Sequence, residues 1–222
     1  MLGADAFGRD VFSRLLYAGR MSLAIGLGVA ALASVIGIAI GLVAGFFRRL
    51  DAPMSRLIDA MMAFPDILLA IALVSILGGS IINVIIALSI VYAPRIARIV
   101  RASTLVIREL PYVEAAVALG SSTLTIMTTH VLRNILSPII VQATFIFAYA
   151  MLAEAGLSFL GVGIDPSTPS WGTMINEGRQ YLDQAAFLIF FPGIAISISV
   201  LALQLIGDGL RDALDPRLAK DL

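Results

Sequence analysis

The residues in this sequence best suited to a job are arranged for docking rather than for covalent chemistry. Glu114-Ala115-Ala116-Val117-Ala118-Leu119-Gly120 lies in a polar, Arg-bearing interval between long apolar runs. A short helix starting near Pro111 places Glu114 in its first turn, presents small alanine faces and ends where Gly120 turns the chain. Such an element can press closely against another protein. Groups for catalysis are scarce. The chain has no cysteine and one histidine, His130, so thiol nucleophiles and Cys- or His-rich metal sites fall away, and neither metal nor cofactor is expected. His130 reads as a loop residue touching a partner or solvent. A nucleotide-binding P-loop needs Gly-x-x-x-x-Gly-Lys followed by Ser or Thr, and the only lysine is Lys220. By that route the chain cannot hydrolyse ATP, and any energy must come from a partner.

The elements that must carry this loop are set by hydropathy. Hydrophobic residues make up 59% of the 222 residues and charged ones 14%, with a mean hydropathy of +0.99. That is more apolar surface than a soluble domain of this length buries, so the chain reads as an all-α polytopic membrane protein in contact with lipid. The net charge of +0 supplies no argument for a nucleic-acid partner, and none is expected. Residues 21–47 are an uncharged interval long enough to cross a hydrocarbon core of about 30 Å. Within it Ala33, Gly37, Gly41 and Gly45 recur every fourth residue, a face without bulk that reads as helix packing rather than pore lining.

Residues 67–94 are also uncharged, and read as one span they would put the flanking arginine clusters on opposite sides of the membrane. Two spans, 57–78 and 81–101, turning at Gly78-Gly79-Ser80, put both clusters inside. Arg95 and Arg98 then snorkel to the interface, and Asp59 and Asp66 reach water or Arg56. Further spans are expected at 138–163 and 185–207, separated by an extracytoplasmic loop at 164–184 and followed by a cytoplasmic tail at 211–222. The interval 102–137 is the cytoplasmic coupling loop. About five spans with the tail inside put residues 1–20 outside, although they carry Arg9, Arg14 and Arg20 against Asp5 and Asp10 without a secretory segment. The expected repair is a missing first span, the sixth of the set, upstream of Met1.

The Glu-Ala-Ala, three residues, Gly spacing resembles the cytoplasmic EAA loop of ABC-importer permeases. In the second half of that pattern Leu132 matches, while His130 stands where Ile is expected and Arg133 where Pro is. Gly8-Arg9-Asp10-Val11-Phe12-Ser13-Arg14, Leu152 to Gly161, Pro169-Ser170-Trp171-Gly172 and the tail Gly207 to Pro216 look, in that order, like the dipeptide/oligopeptide/nickel branch of these permeases. The resemblance implies a type I ABC importer transmembrane domain in the bacterial cytoplasmic (inner) membrane. It further implies a second permease subunit, making a heterodimer, and an extracytoplasmic substrate-binding protein that delivers peptide. Two cytoplasmic ATP-binding subunits would dock at Glu114, Ala115, Ala116, Gly120 and Leu132. Nickel or another small solute is the alternative cargo.

Other classes fit less well. An ion-coupled secondary transporter should show broken spans with acids at matching positions in two halves, whereas Glu154 stands alone and no internal repeat is present. An intramembrane hydrolase would need a nucleophile and base at membrane depth. A tightly held ATPase on purification separates these classes. Glu154, costly in a span at roughly 2.5–3.5 kcal/mol, must be bonded within the bundle or must face pathway water. Trp171 reads as a membrane-interface anchor or as a contact for the binding protein.

Overall fold

A computed structural model describes residues 2–214; the part of the expected tail at 215–222, with Arg217 and Lys220, lies outside the described residues. The architecture is an all-helical bundle. α1 (Val11–Phe46) is a single 36-residue helix, so residues 11–20 continue the first span outward instead of forming a separate segment. Asp10 caps it by accepting from the Ser13 amide at 2.8 Å. α2 (Arg48–Met62) and α3 (Asp66–Leu77) follow, then α4 (Ile81–Ile107), which starts on a Ser80 cap.

The expected span 57–78 is not one helix. α2 and α3 meet at a bend of 93°, because Pro65 at the α3 N-cap has no amide hydrogen and keeps Phe64 away from helical backbone angles. α3, at 12 residues, is about 18 Å long and too short to cross a core of about 30 Å by itself. Among the described residues four helical stretches are long and apolar enough to cross a membrane, or five if the bent pair counts as one.

The interval 102–137 is more ordered than a loop. It holds the last turns of α4, the eight-residue α5 (Pro111–Ala118) and a short turn α6 (Thr123–Thr125). A π turn at Ile126–Val131 and a 3-10 turn at Leu132–Ile135 then lead into α7 (Leu136–Phe159). The interval 164–184 contains α8 (Trp171–Gly178), held by a Ser170–Thr173 capping box. α9 (Phe187–Leu214) closes the bundle.

The α1–α4 pair is the most extensive contact, and its chemistry was visible in the spacing. A Cβ added to Gly37 would lie 2.8 Å from the Ala93 carbonyl oxygen, at Gly41 2.6 Å from that of Ala97, and at Gly45 2.9 Å from that of Arg101. The two backbones touch along this seam, which is what small residues allow where lipid removes the hydrophobic drive for helix association. The outer surface is inverted relative to a soluble protein. Phe190, Ile194, Ile198, Leu201 and Leu205 form an exposed apolar stripe along α9.

The arginines near the start of the chain are compensated rather than bare. Arg14 bonds Asp5 at 2.9 Å and Glu177 of α8 at 2.7 Å, and Arg9 bonds Glu177 at 3.0 Å. Burial pushes the Asp5 carboxyl up, but hydrogen bonds from Arg9 and Phe7 outweigh it and hold that group below its usual range. Arg20 lies 5.6 Å over the Tyr17 ring.

Two outcomes are expected. Gly41→Leu should abolish assembly of the subunit, because overpacking costs about 1–3 kcal/mol even where neighbours can yield and a carbonyl oxygen at 2.6 Å cannot; size-exclusion profiles of the purified protein check this. In intact cells an impermeant thiol reagent should label Ser13→Cys and Ser167→Cys but not Ser121→Cys. External labelling of Ser121→Cys would reverse the expected orientation.

Candidate functional site

α5 forms as its residues dictate: Pro111 starts it at the first helical position, and Glu114 lies in the first turn. Its end is a Schellman turn in which the Gly120 amide donates to Val117 O at 3.0 Å and the Ser121 amide to Ala116 O at 3.1 Å. Gly120 sits at φ +80°, a backbone conformation that side chains disfavour. Val113 and Ala116 face inward and pack with Ile126, Phe46 at the end of α1 and Ile107 at the end of α4. Glu114, Ala115, Val117 and Leu119 face outward, Leu119 at 86% exposure. One face of α5 is thus fixed to the bundle and the other is bare and largely apolar.

Of the residues singled out in the sequence, Glu114, Ala115, Ala116 and Gly120 come together on α5. Leu132 does not join them; it is half-buried and packs against the main core from the helical rod that follows. His130 is in the π turn, where its ring lies 6.2 Å from that of Tyr112 and its carbonyl accepts hydrogen bonds. Asn134 Nδ2 donates to the His130 carbonyl at 2.6 Å and to Tyr112 Oη at 3.3 Å, which ties α5 to the root of α7. π turns insert a residue where a helix must re-aim.

Glu154 is fully buried. Its carboxylate accepts from Ser158 Oγ and Ser170 Oγ, each at 2.8 Å, and from Ser22 Oγ at 3.4 Å. The three serines come from α7, the α8 cap and α1, so this acid joins three elements and is satisfied within the bundle. Trp171 is 6% exposed. Its indole donates to Leu15 O at 3.0 Å, and its ring fills the space beside Gly19, where an added Cβ would be 2.8 Å away. Neither an interface anchor nor an outward contact, it is a peg between α8 and α1. The hydropathy pattern could not separate these roles, since both ask for an aromatic ring next to a polar loop.

The charges in α4 were misread in the sequence. Because α4 runs on to Ile107, Arg95 and Arg98 are not in its last turns. Arg95, Arg98 and Arg101 instead pair with Asp66, Asp59 and Asp51 respectively. Arginines spaced by three on one helix meet aspartates of α2 and α3 in reverse sequence order. The arginines are three apart and the aspartates seven and eight apart, so the pairing could not be read from spacing. Arg56 is not the partner of either Asp59 or Asp66. Arg108 Nη1 donates to Gly45 O at 2.7 Å and so caps the free carbonyls at the end of α1.

Residues 34–220 match the family described as the binding-protein-dependent transport system inner membrane component. The chain belongs to this family. It is a permease subunit, the inner-membrane component of a binding-protein-dependent transport system. A Brucella suis protein named "Putative peptide transport system permease protein" is 55% identical over 98% of this chain and 74% of its own length. A di/tripeptide transport system permease protein of Pseudomonas aeruginosa is 46% identical over 98% and 72%. A glutathione transport system permease protein of Pectobacterium atrosepticum is 44% identical over 98% and 72%. The fold is also that of a chain in inward-facing structures of the MetNI methionine ABC transporter, with a TM-score of 0.73 at 22% identity, covering 92% of this permease and 97% of that chain.

Glu154→Gln, which keeps an acceptor for the serine hydroxyls, should change the permease's thermal stability in detergent by less than about 1 kcal/mol. Glu154→Leu should cost about 2–3 kcal/mol, because it strands buried hydroxyls. Equal melting temperatures for the two variants would show that the hydroxyl cluster contributes nothing.

Proposed function

We propose that this permease forms one half of the pathway for di- and oligopeptides, alongside a second, non-identical permease subunit. An extracytoplasmic binding protein delivers the cargo, and two ATP-binding subunits dock at Glu114, Ala115, Ala116 and Gly120. The permease itself hydrolyses nothing. The observation that carries this reading is α5: a helix with a bare apolar outer face and an inner face packed against the ends of α1 and α4. A push on α5 is therefore delivered to two spans at once through Phe46 and Ile107, and through Asn134 to α7. Closure of the ATPase pair would rock these helices between inward-open and outward-open states as rigid bodies. Leu132 contributes by holding the rod to the core, not by touching the partner. Peptide as cargo rests on what the relatives at 46% and 55% identity are named for.

Glu114→Arg places a cation at a helix N-terminus, where it is disfavoured, and Gly120→Val puts a β-branched residue at positive φ. Both variants should insert normally, yet co-purify with less ATPase and lose at least about tenfold of ATP-driven uptake, the equivalent of about 1.4 kcal/mol of coupling. Wild-type co-purification and uptake in both would remove α5 from the docking site. Uptake of labelled di- and oligopeptides set against nickel tests the cargo, and nickel alone being taken up would overturn the peptide reading.

A further inference from the structure

The α5 end of the bundle opens into a groove between α4, α7 and α9, lined among others by Ile99, Gln142, Phe145 and Arg211. One turn further in on α4 from Ile99 is Arg95, and one turn further in on α7 from Phe145 is Tyr149, so the same two faces continue toward the middle of the bundle. There the Arg95 guanidinium lies 5.2 Å from the Tyr92 ring centre and 5.3 Å from that of Tyr149, and it pairs with Asp66 at the start of α3. Tyr92 is buried and serves as the floor, while Tyr149 is 43% exposed.

Depth makes this cluster unusual. Within α4 (Ile81–Ile107), Arg95 is about 21 Å from one end and about 18 Å from the other at the helical rise of 1.5 Å per residue. If the apolar run 81–101 is the part that crosses a core of about 30 Å, Arg95 lies about 9 Å inside its nearer edge. The Arg95 and Asp66 side chains nonetheless remain 29% and 35% exposed. Facing lipid, each charge would cost roughly 2.5–3.5 kcal/mol, so the open side of the pair faces water or protein. Glu154, which is deep but fully enclosed by serines, shows how this fold treats an acid meant only to brace helices.

We propose that Arg95, Asp66 and Tyr149 form a peptide-binding station in the translocation pathway, reached from the α5 end through the α4–α7 groove. The chemistry matches a zwitterion: the guanidinium takes the carboxylate end of a peptide, Asp66 takes an ammonium or amide hydrogen, and the Tyr149 ring lies along the backbone. The resting Arg95–Asp66 pair holds both charges until a peptide exchanges with it. This inference rests on the peptide reading of the cargo for its ligand, but not for the wet pathway.

Both parts can be tested on the complete importer in proteoliposomes. The absence of native cysteine in this chain allows Tyr149→Cys to be probed with a charged maleimide in the nucleotide-free state, with Ile198→Cys on the exposed α9 stripe as the lipid-facing control. Labelling of Tyr149→Cys at least about tenfold faster is expected, since the thiolate reacts only where water reaches it, and equal rates would overturn the pathway assignment. Arg95→Gln combined with Asp66→Asn removes both charges and leaves neither unpaired. It should raise the KM for a free tripeptide about tenfold, the loss of one charge-assisted contact, and raise it much less for an N-acetylated, C-terminally amidated tripeptide, which offers neither charge. The binding protein is unaltered, so its own preference cancels in the ratio of variant to unaltered permease. Equal losses for both peptides would make the pair a brace and overturn the station. If the unaltered importer moves no peptide at all, the ligand class falls with the peptide reading, while the labelling result still decides the pathway.

Discussion

Backbone-to-backbone contact between α1 and α4 is the constraint on which the remaining structure depends. In lipid, apolar side chains gain little by leaving one apolar medium for another, so close packing has to hold helices together. Gly37, Gly41 and Gly45 let α4 carbonyls come within 2.6–2.9 Å of where a Cβ would stand, a distance that no side chain tolerates. Once α4 is seated on α1, the positions of Arg95, Arg98 and Arg101 follow, and with them the path of α2 and α3, whose aspartates meet those arginines. The 93° bend at Pro65 lets α2 supply Asp59 and Asp51 and α3 supply Asp66 to successive turns of α4.

Charge is managed in three ways within one chain. Glu154 is enclosed by serine hydroxyls and acts as a rivet between α1, α7 and α8. Arg9 and Arg14 are matched by Asp5 and Glu177 in a polar cluster that joins the first residues to α8. The α4 arginines are paired across to a second element and stay partly open. Isolated exposed ion pairs contribute little, about 0–1 kcal/mol, so Arg98–Asp59, at 52% and 63% exposure, acts chiefly in setting register. The deep member is different because lipid would not solvate it.

The motion expected of an importer has a mechanical route in these contacts. α5 is short and hangs from the bundle by two buried residues, Val113 and Ala116, and by the Tyr112–Asn134 link. Its attachments lead to the ends of α1, α4 and α7, which contribute most of the main core. An element fixed on one face and bare on the other transmits force well, because its inner contacts move as packed solids. Gly120 and the π turn at Ile126–Val131 bracket the segment in which the chain changes direction.

Hydropathy, the charge-free intervals and the four-residue glycine spacing determined the membrane environment, the helical class and the packing face of α1, because each depends only on which side chains a helix presents. The start and stop of α5 were legible too, since Pro111 and Gly120 act through their own backbones. Partner choice needed the tertiary structure. Nothing local says that Asp66 meets Arg95 rather than Arg56, that Trp171 turns inward onto Gly19, or that Leu132 packs into the core away from α5. Those outcomes rest on contacts between residues far apart in the chain, and they were decided only when the α1–α4 seam brought their helices into one register.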